Sequence, residues 1–279
     1  MNDNRNMLLA VVLSALVLIG WSLLSDRLFP TAGPQTVRVE NGKTTPLPQP
    51  AVVPGANAPR ASRNRAVVLG ETPRVRIATP TIAGSINLKG ARFDDLVLVR
   101  QRKAISPTSP PVRLLSPAGA RGAYFAGFGW TGQGVAAPDA NSLWTASAST
   151  LSPGKPVTLS WSNATGQRFE LIVSVDDGYL FSIKQRVANM GSAPVAVTPF
   201  GLVSRAAKSS DASSWTSHVG PISFLAGKAD YEIDWESLDE DRSGVTRDSR
   251  GGWLGFTDKY WLTALAPCLL YTSPSPRDS

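Results

Sequence analysis

A single histidine and a single cysteine limit the chemistry that this chain of 279 residues can carry. Cys268 has no second thiol for a disulfide or a multi-cysteine metal centre, and His218 alone cannot build a two-histidine site. His218 sits among hydroxyls in Ser213-Ser-Trp-Thr-Ser-His-Val-Gly-Pro221. A Ser–His pair would need a neutral imidazole placed to take the hydroxyl proton, but the chain has no Gly-x-Ser-x-Gly elbow, so the stretch reads as a polar loop. Gly127-Phe-Gly-Trp-Thr-Gly132 matches the dinucleotide fingerprint by spacing. That motif works only where a helix opens over the pyrophosphate, and Gln133 to Pro138 will not start one. The segment is read as a glycine-rich loop in a β domain.

Asp230, Glu232, Asp234 and Glu236 alternate with Tyr231, Ile233 and Trp235. As a strand, this run sets four carboxylates on one face. Calcium needs a folded loop presenting many oxygens, so the expectation is a solvated face that resists edge pairing. Asp239, Glu240 and Asp241 extend the negative patch, and Arg242, Arg247 and Arg250 offset part of it. Arg60, Arg63 and Arg65 form a basic trio. Their plain reading is a solvated linker end; their functional reading is attraction to anionic headgroups. Trp253, Tyr260 and Trp261 read either as core aromatics or as a partner-contact surface. No catalytic, cofactor-binding or metal-ligating residue is assigned.

The elements that would position these residues fall into four stretches. Residues 7–24, after a short N-terminus (1–6), carry no charge and would span about 27 Å as a helix, near the roughly 30 Å hydrocarbon core. The run is longer than a secretory signal core and lacks a small-x-small exit, so it is expected to stay as a transmembrane anchor. Residues 25–65 form the expected linker, with seven prolines between 30 and 65 and no aromatic after Phe29. From residue 66 the pattern turns to period two: Val75 and Ile77, Ile86 and Leu88, and Val157, Leu159 and Trp161 each alternate with polar neighbours. Asp176-Asp-Gly178 marks a hairpin between two apolar runs. With 22 prolines and 24 glycines and almost no helical periodicity, residues 66–267 are predicted to form one all-β antiparallel sandwich. The formal charge is +7, but 66–267 hold 20 basic and 17 acidic side chains. That balance argues against a nucleic-acid partner.

The start, Asp3-Asn-Arg5-Asn-Met-Leu-Leu followed by the apolar run to Trp21, resembles that of bacterial YidC-type membrane protein insertases. Arg76 to Ala91, Gly178 to Gly191 and Gly251 to Pro267 resemble the same family in the same order. The resemblance implies an N-in first helix and a large periplasmic β-supersandwich at 66–267. It also implies a non-enzymatic role in inserting and folding inner-membrane proteins, with the inner membrane, nascent membrane proteins and Sec translocon components as partners. The family's later transmembrane core is not present in this sequence, and residues 268–279 resemble neither the family nor a membrane span; they read as a non-native tail. The rival expectation is a tethered periplasmic carbohydrate-binding or scaffold module, because similar supersandwiches occur in aldose epimerases.

Overall fold

The computed structural model describes residues 37–40, 43–46, 63–206, 208, 218–240 and 245–267. The helix expected at 7–24 and the stretch 268–279 lie outside these residues. Among the described residues no helix is long and apolar enough to cross a membrane. The chain divides into two units, Met1–Ala51 and Val52–Ser279. In the first, β1 (Val37–Glu40) and β2 (Lys43–Pro46) pair antiparallel, with Glu40 opposite Lys43. The stretch expected to be an extended linker therefore contains a hairpin.

In the second unit a short helix, Arg65–Gly70, leads into the sheets, its first turn capped by the Asn64 side chain, which accepts from the Ala66 amide at 2.9 Å. β3 (Arg74–Ala78), β4 (Ile82–Asn87), β5 (Arg92–Arg102), β6 (Pro111–Leu115) and β7 (Tyr124–Gly132) belong to a seven-stranded sheet. β9 (Thr150–Leu151) and β13 (Val197–Arg205) complete it in the order β13-β7-β5-β4-β3-β9, with β6 on β5. A four-stranded sheet has the order β12-β11-β10-β8, from β8 (Thr145–Ala146), β10 (Val157–Ser162), β11 (Gln167–Val175) and β12 (Phe181–Asn189). Pairing between named strands is antiparallel except for β3 with β9.

The period-two pattern explains how these sheets close on one another. On β11 the side chains of Phe169, Leu171 and Val173 are fully buried, while the residues between them look outward. They meet the inner face of the seven-stranded sheet: Phe169 packs edge-on to Trp130 at 5.2 Å, and Phe93 to Phe181 at 5.6 Å. Val75, Ile77, Ile86, Leu151, Val157 and Leu159 fill the rest of the layer. Burying each such side chain contributes roughly 1.5–3 kcal/mol. On the edge strand β12 the corresponding inward residues stay half-buried. The expected hairpin is present: Val175 pairs with Phe181, and the Asp176 carboxylate accepts from the Leu180 amide at 2.9 Å.

Two expectations from the pattern give way. Gly127 to Gly132 is strand, not loop, because β7 pairs along its length with β13. The glycines suit it: a Cβ at Gly129 would lie 2.7 Å from the Phe200 ring, which crosses the strand there. The acidic run is not one strand face. β15 (Lys228–Asp230) stops at Asp230, and a second helix, Trp235–Glu240, follows. Asp234 and Ser237 cap each other, Ser237 N donating to Asp234 Oδ1 at 2.8 Å and Asp234 N to Ser237 Oγ at 3.0 Å. The Ser237 amide, and its hydroxyl, which also donates to Asp234 Oδ1, hold the Asp234 carboxyl below the usual carboxylate range. The cap overrides the alternation.

One irregularity in the sheet places charge. The pairing of β4 with β5 shifts between Ser85 and Ile86, so Asp94 is an extra residue and Asp95 joins it on the outer face while Phe93 and Leu96 stay in the core. Asp94 is buried against Arg74, with Asn87 at 3.4 Å. Burial pushes its carboxyl up, and Arg74 opposes that. Ser85 Oγ accepts from Arg74 Nε at 2.7 Å and donates to Asp95 at 2.9 Å. Arg113 on β6 closes the network on Asp95 at 2.5 Å.

Candidate interaction surface

The last sheet of the domain has the order β15-β14-β16-β17, from β14 (Gly220–Leu225), β15, β16 (Trp253–Thr257) and β17 (Leu262–Leu265). Its register sorts its residues by face, since directly opposed residues of an antiparallel pair share one. Phe224 lies opposite Trp253, Ile222 opposite Gly255, and Thr257 opposite Leu262. The other face carries Phe256, opposite Pro221 and Thr263.

Phe256 is the side chain that ties this sheet to the sandwich. It meets Tyr124 of β7 edge-on at 6.0 Å and stacks on Trp235 at 5.6 Å. Arg205, at the end of β13, lies over the Tyr124 ring at 4.8 Å and the Trp235 ring at 5.9 Å. Its guanidinium pairs with Asp258 at 2.6 Å, and the side chains are only 9% and 16% exposed. Asp258 also donates its amide to Trp261 O at 2.7 Å, closing the turn between β16 and β17. The Tyr124 hydroxyl is pushed up to about 12, chiefly by burial, with Asp258 adding to the rise and Thr263 and Arg205 pulling it back.

The outward face is apolar. Phe224 and Leu262 are exposed, and Trp253 is half-buried beside them. Tyr260 projects from the turn at 70% exposure, with Lys259 Nζ 5.2 Å from its ring. Trp261 is half-buried. Trp253, Tyr260 and Trp261 thus share one hairpin, with Trp253 at the far end of β16, about 13 Å from the turn at ~3.3 Å per residue. Phe224 and Leu262 join the same face and were missed, because their alignment with Trp253 and Thr257 comes from register and no local pattern reports it. Arg205 was missed for the same reason.

The other sequence candidates are scattered. His218 donates from Nε2 to Pro221 O at 2.7 Å and lies edge-on to Tyr231 at 6.2 Å. The hydroxyls weighed beside it, at 213–217, lie outside the described residues. Asp230 pairs with Arg247 at 3.4 Å while Asp234 caps a helix, so the acidic residues do not converge. Among the described residues no three groups of metal-ligating type come together. Arg63 and Arg65 line an open groove with Arg113 and Arg121.

A face-to-face antiparallel sandwich carrying an added C-terminal sheet, clasped on by Arg205 and Phe256, defines an all-β domain with one apolar face left open. The chain belongs to the YidC periplasmic domain family, whose profile matches residues 74–272, from the first residue of β3 to a point past Pro267. It is 41% identical over 267 residues to the membrane protein insertase YidC of Zymomonas mobilis, covering 95% of this chain and 45% of that protein. It is 41% identical over 289 residues to that of Bradyrhizobium diazoefficiens, covering 96% and 46%, and 36% identical over 281 residues to that of Rhizobium meliloti, covering 96% and 47%. The chain therefore spans less than half the length of these curated relatives.

Proposed function

We propose that the chain is the anchor and periplasmic portion of a membrane protein insertase that helps inner-membrane proteins insert and fold, alone or beside the Sec translocon. The observation that carries this reading is the 41% identity to proteins named membrane protein insertase YidC, sustained over 95% of the chain. In it, residues 7–24 cross the inner membrane with the N-terminus inside, 25–65 lead out, and 66–267 form a periplasmic β-supersandwich. The domain acts by contact, not by catalysis. Its contact surface is the open face of the last sheet, where Trp253 joins Phe224 and Leu262, with Tyr260 and Trp261 in the turn beside it. Exposed aromatic side chains of this kind are the usual anchors of protein interfaces.

The test is site-specific photocross-linking in cells. A photoreactive residue at Tyr260 or Phe224 is expected to capture a defined, stalled nascent membrane protein, whereas one at Ser182, on the outer face of β12, captures none. Equal yields at all three positions, or none at Tyr260 and Phe224, refute the assignment of this face.

A further inference from the structure

Two arginines that end the proline-rich stretch meet two others that the sequence holds some fifty residues away. Arg63 and Arg65 lie at the start of the helix Arg65–Gly70, Arg113 stands on β6, and Arg121 follows Ala120. The Arg63 amide donates to Gly119 O at 3.0 Å, which draws the two segments together. With Ala66 and Leu69 as an apolar strip, the four guanidinium-bearing side chains line a groove of about 630 Å³. That lies within the roughly 300–1,000 Å³ typical of small-ligand sites.

The charges in the groove do not balance. Glu71 pairs with Arg63, and Asp95 pairs with Arg113 at 2.5 Å. Asp95 is further engaged by Ser85. Arg65 and Arg121 form no salt bridge with a carboxylate among the described residues, and both are exposed. Partial burial first, and then the neighbouring Arg113, lower the Arg65 guanidinium from its usual value, while Asp95 pulls it back. Two guanidiniums held in no salt bridge suit a phosphate, whose oxygens accept forked pairs of N–H bonds. The apolar strip beside them suits the carbon backbone of an ester. In sequence 38 residues separate the groove from the apolar run 7–24, and a basic side chain near an anionic membrane surface contributes about 1 kcal/mol.

We infer that this groove binds a phosphate ester, and that its source is the headgroup of an anionic phospholipid in the membrane that carries the chain. The phosphate chemistry stands on the groove alone; the lipid source rests on the membrane reading given above.

Calorimetric titration of the full chain in nonionic-detergent micelles tests both parts. The probes are inorganic phosphate, glycerol 3-phosphate, short-chain phosphatidylglycerol and short-chain phosphatidylcholine, each against the wild type and the Arg65→Ala/Arg121→Ala double variant. Phosphatidylglycerol is expected to bind at least about tenfold more tightly than phosphatidylcholine or inorganic phosphate, to lose about tenfold or more in the double variant, and to weaken as salt is raised. Because both side chains are exposed, the thermal midpoint of the variant should match that of the wild type. Glycerol 3-phosphate or inorganic phosphate binding as tightly as phosphatidylglycerol would overturn the lipid source and leave the groove as a soluble-phosphate site. Equal binding to wild type and variant overturns the whole inference. No membrane protein substrate is present in these titrations, so failure of the cross-linking above leaves their outcome unchanged.

Discussion

Replacing Arg205 with alanine should release the last sheet from the sandwich without unfolding the sandwich itself. Arg205 pairs with Asp258 at 2.6 Å, and the two side chains are 9% and 16% exposed. Removing one partner of a fully buried pair costs about 3–5 kcal/mol, mostly because the other charge is left unanswered. Asp258 keeps some access to water, which brings that figure to about 2 kcal/mol, and the lost stacking on Tyr124 and Trp235 adds about 1 kcal/mol. A local loss of about 3 kcal/mol is about a hundredfold in an opening equilibrium. Hydrogen exchange on the full chain reads it directly: amides of β16 and β17 should exchange about a hundredfold faster in Arg205→Ala, while those of β11 keep their protection. Unchanged protection in β16 and β17 would mean that the pair holds nothing. Equal acceleration in β11 would mean that the two sheets open as one unit, and either result refutes the clasp.

The same junction should be sensitive to alkali. Tyr124 has its hydroxyl pushed up to about 12, against an ordinary value of about 10. A pKa raised by folding gives stability that is full below the unfolded value and is lost as pH climbs through the folded one. Denaturation of the wild type between about pH 10 and 12 should therefore lose about 3 kcal/mol more than Tyr124→Phe does; parallel curves would show that burial at this position carries no such coupling. In the core, Phe169→Ala removes a fully buried ring from between Trp130 and Trp161. It should cost about 3–5 kcal/mol in denaturant unfolding, and a loss under about 1 kcal/mol would place Phe169 outside the packed layer.

Much of the sandwich was legible because its signals are local. Alternation at Val75 and Ile77 or at Val157 and Leu159 is a property of neighbouring residues, and so is the Asp176-Asp-Gly178 turn. The glycine run and the acidic run misled for a related reason. Gly127 to Gly132 has the composition of a loop, but a whole partner strand some seventy residues on holds it extended. Asp230 to Glu236 has the alternation of a strand, but one reciprocal cap between Asp234 and Ser237 is worth more than the pattern.

The sequence by itself determined the all-β class, the inward-facing residues of most strands and, through Gly178 to Gly191 and Gly251 to Pro267, the family. The tertiary structure alone decided which side chains stand together. Phe224 faces Trp253 through register, Arg205 reaches Asp258 across 53 positions, and Arg113 and Arg121 join Arg63 and Arg65 around a groove. The physical reason is one of range. Side-chain alternation is set within two residues by the pleat, whereas pairing, bulges and charge convergence are set by contacts between segments that no local pattern relates.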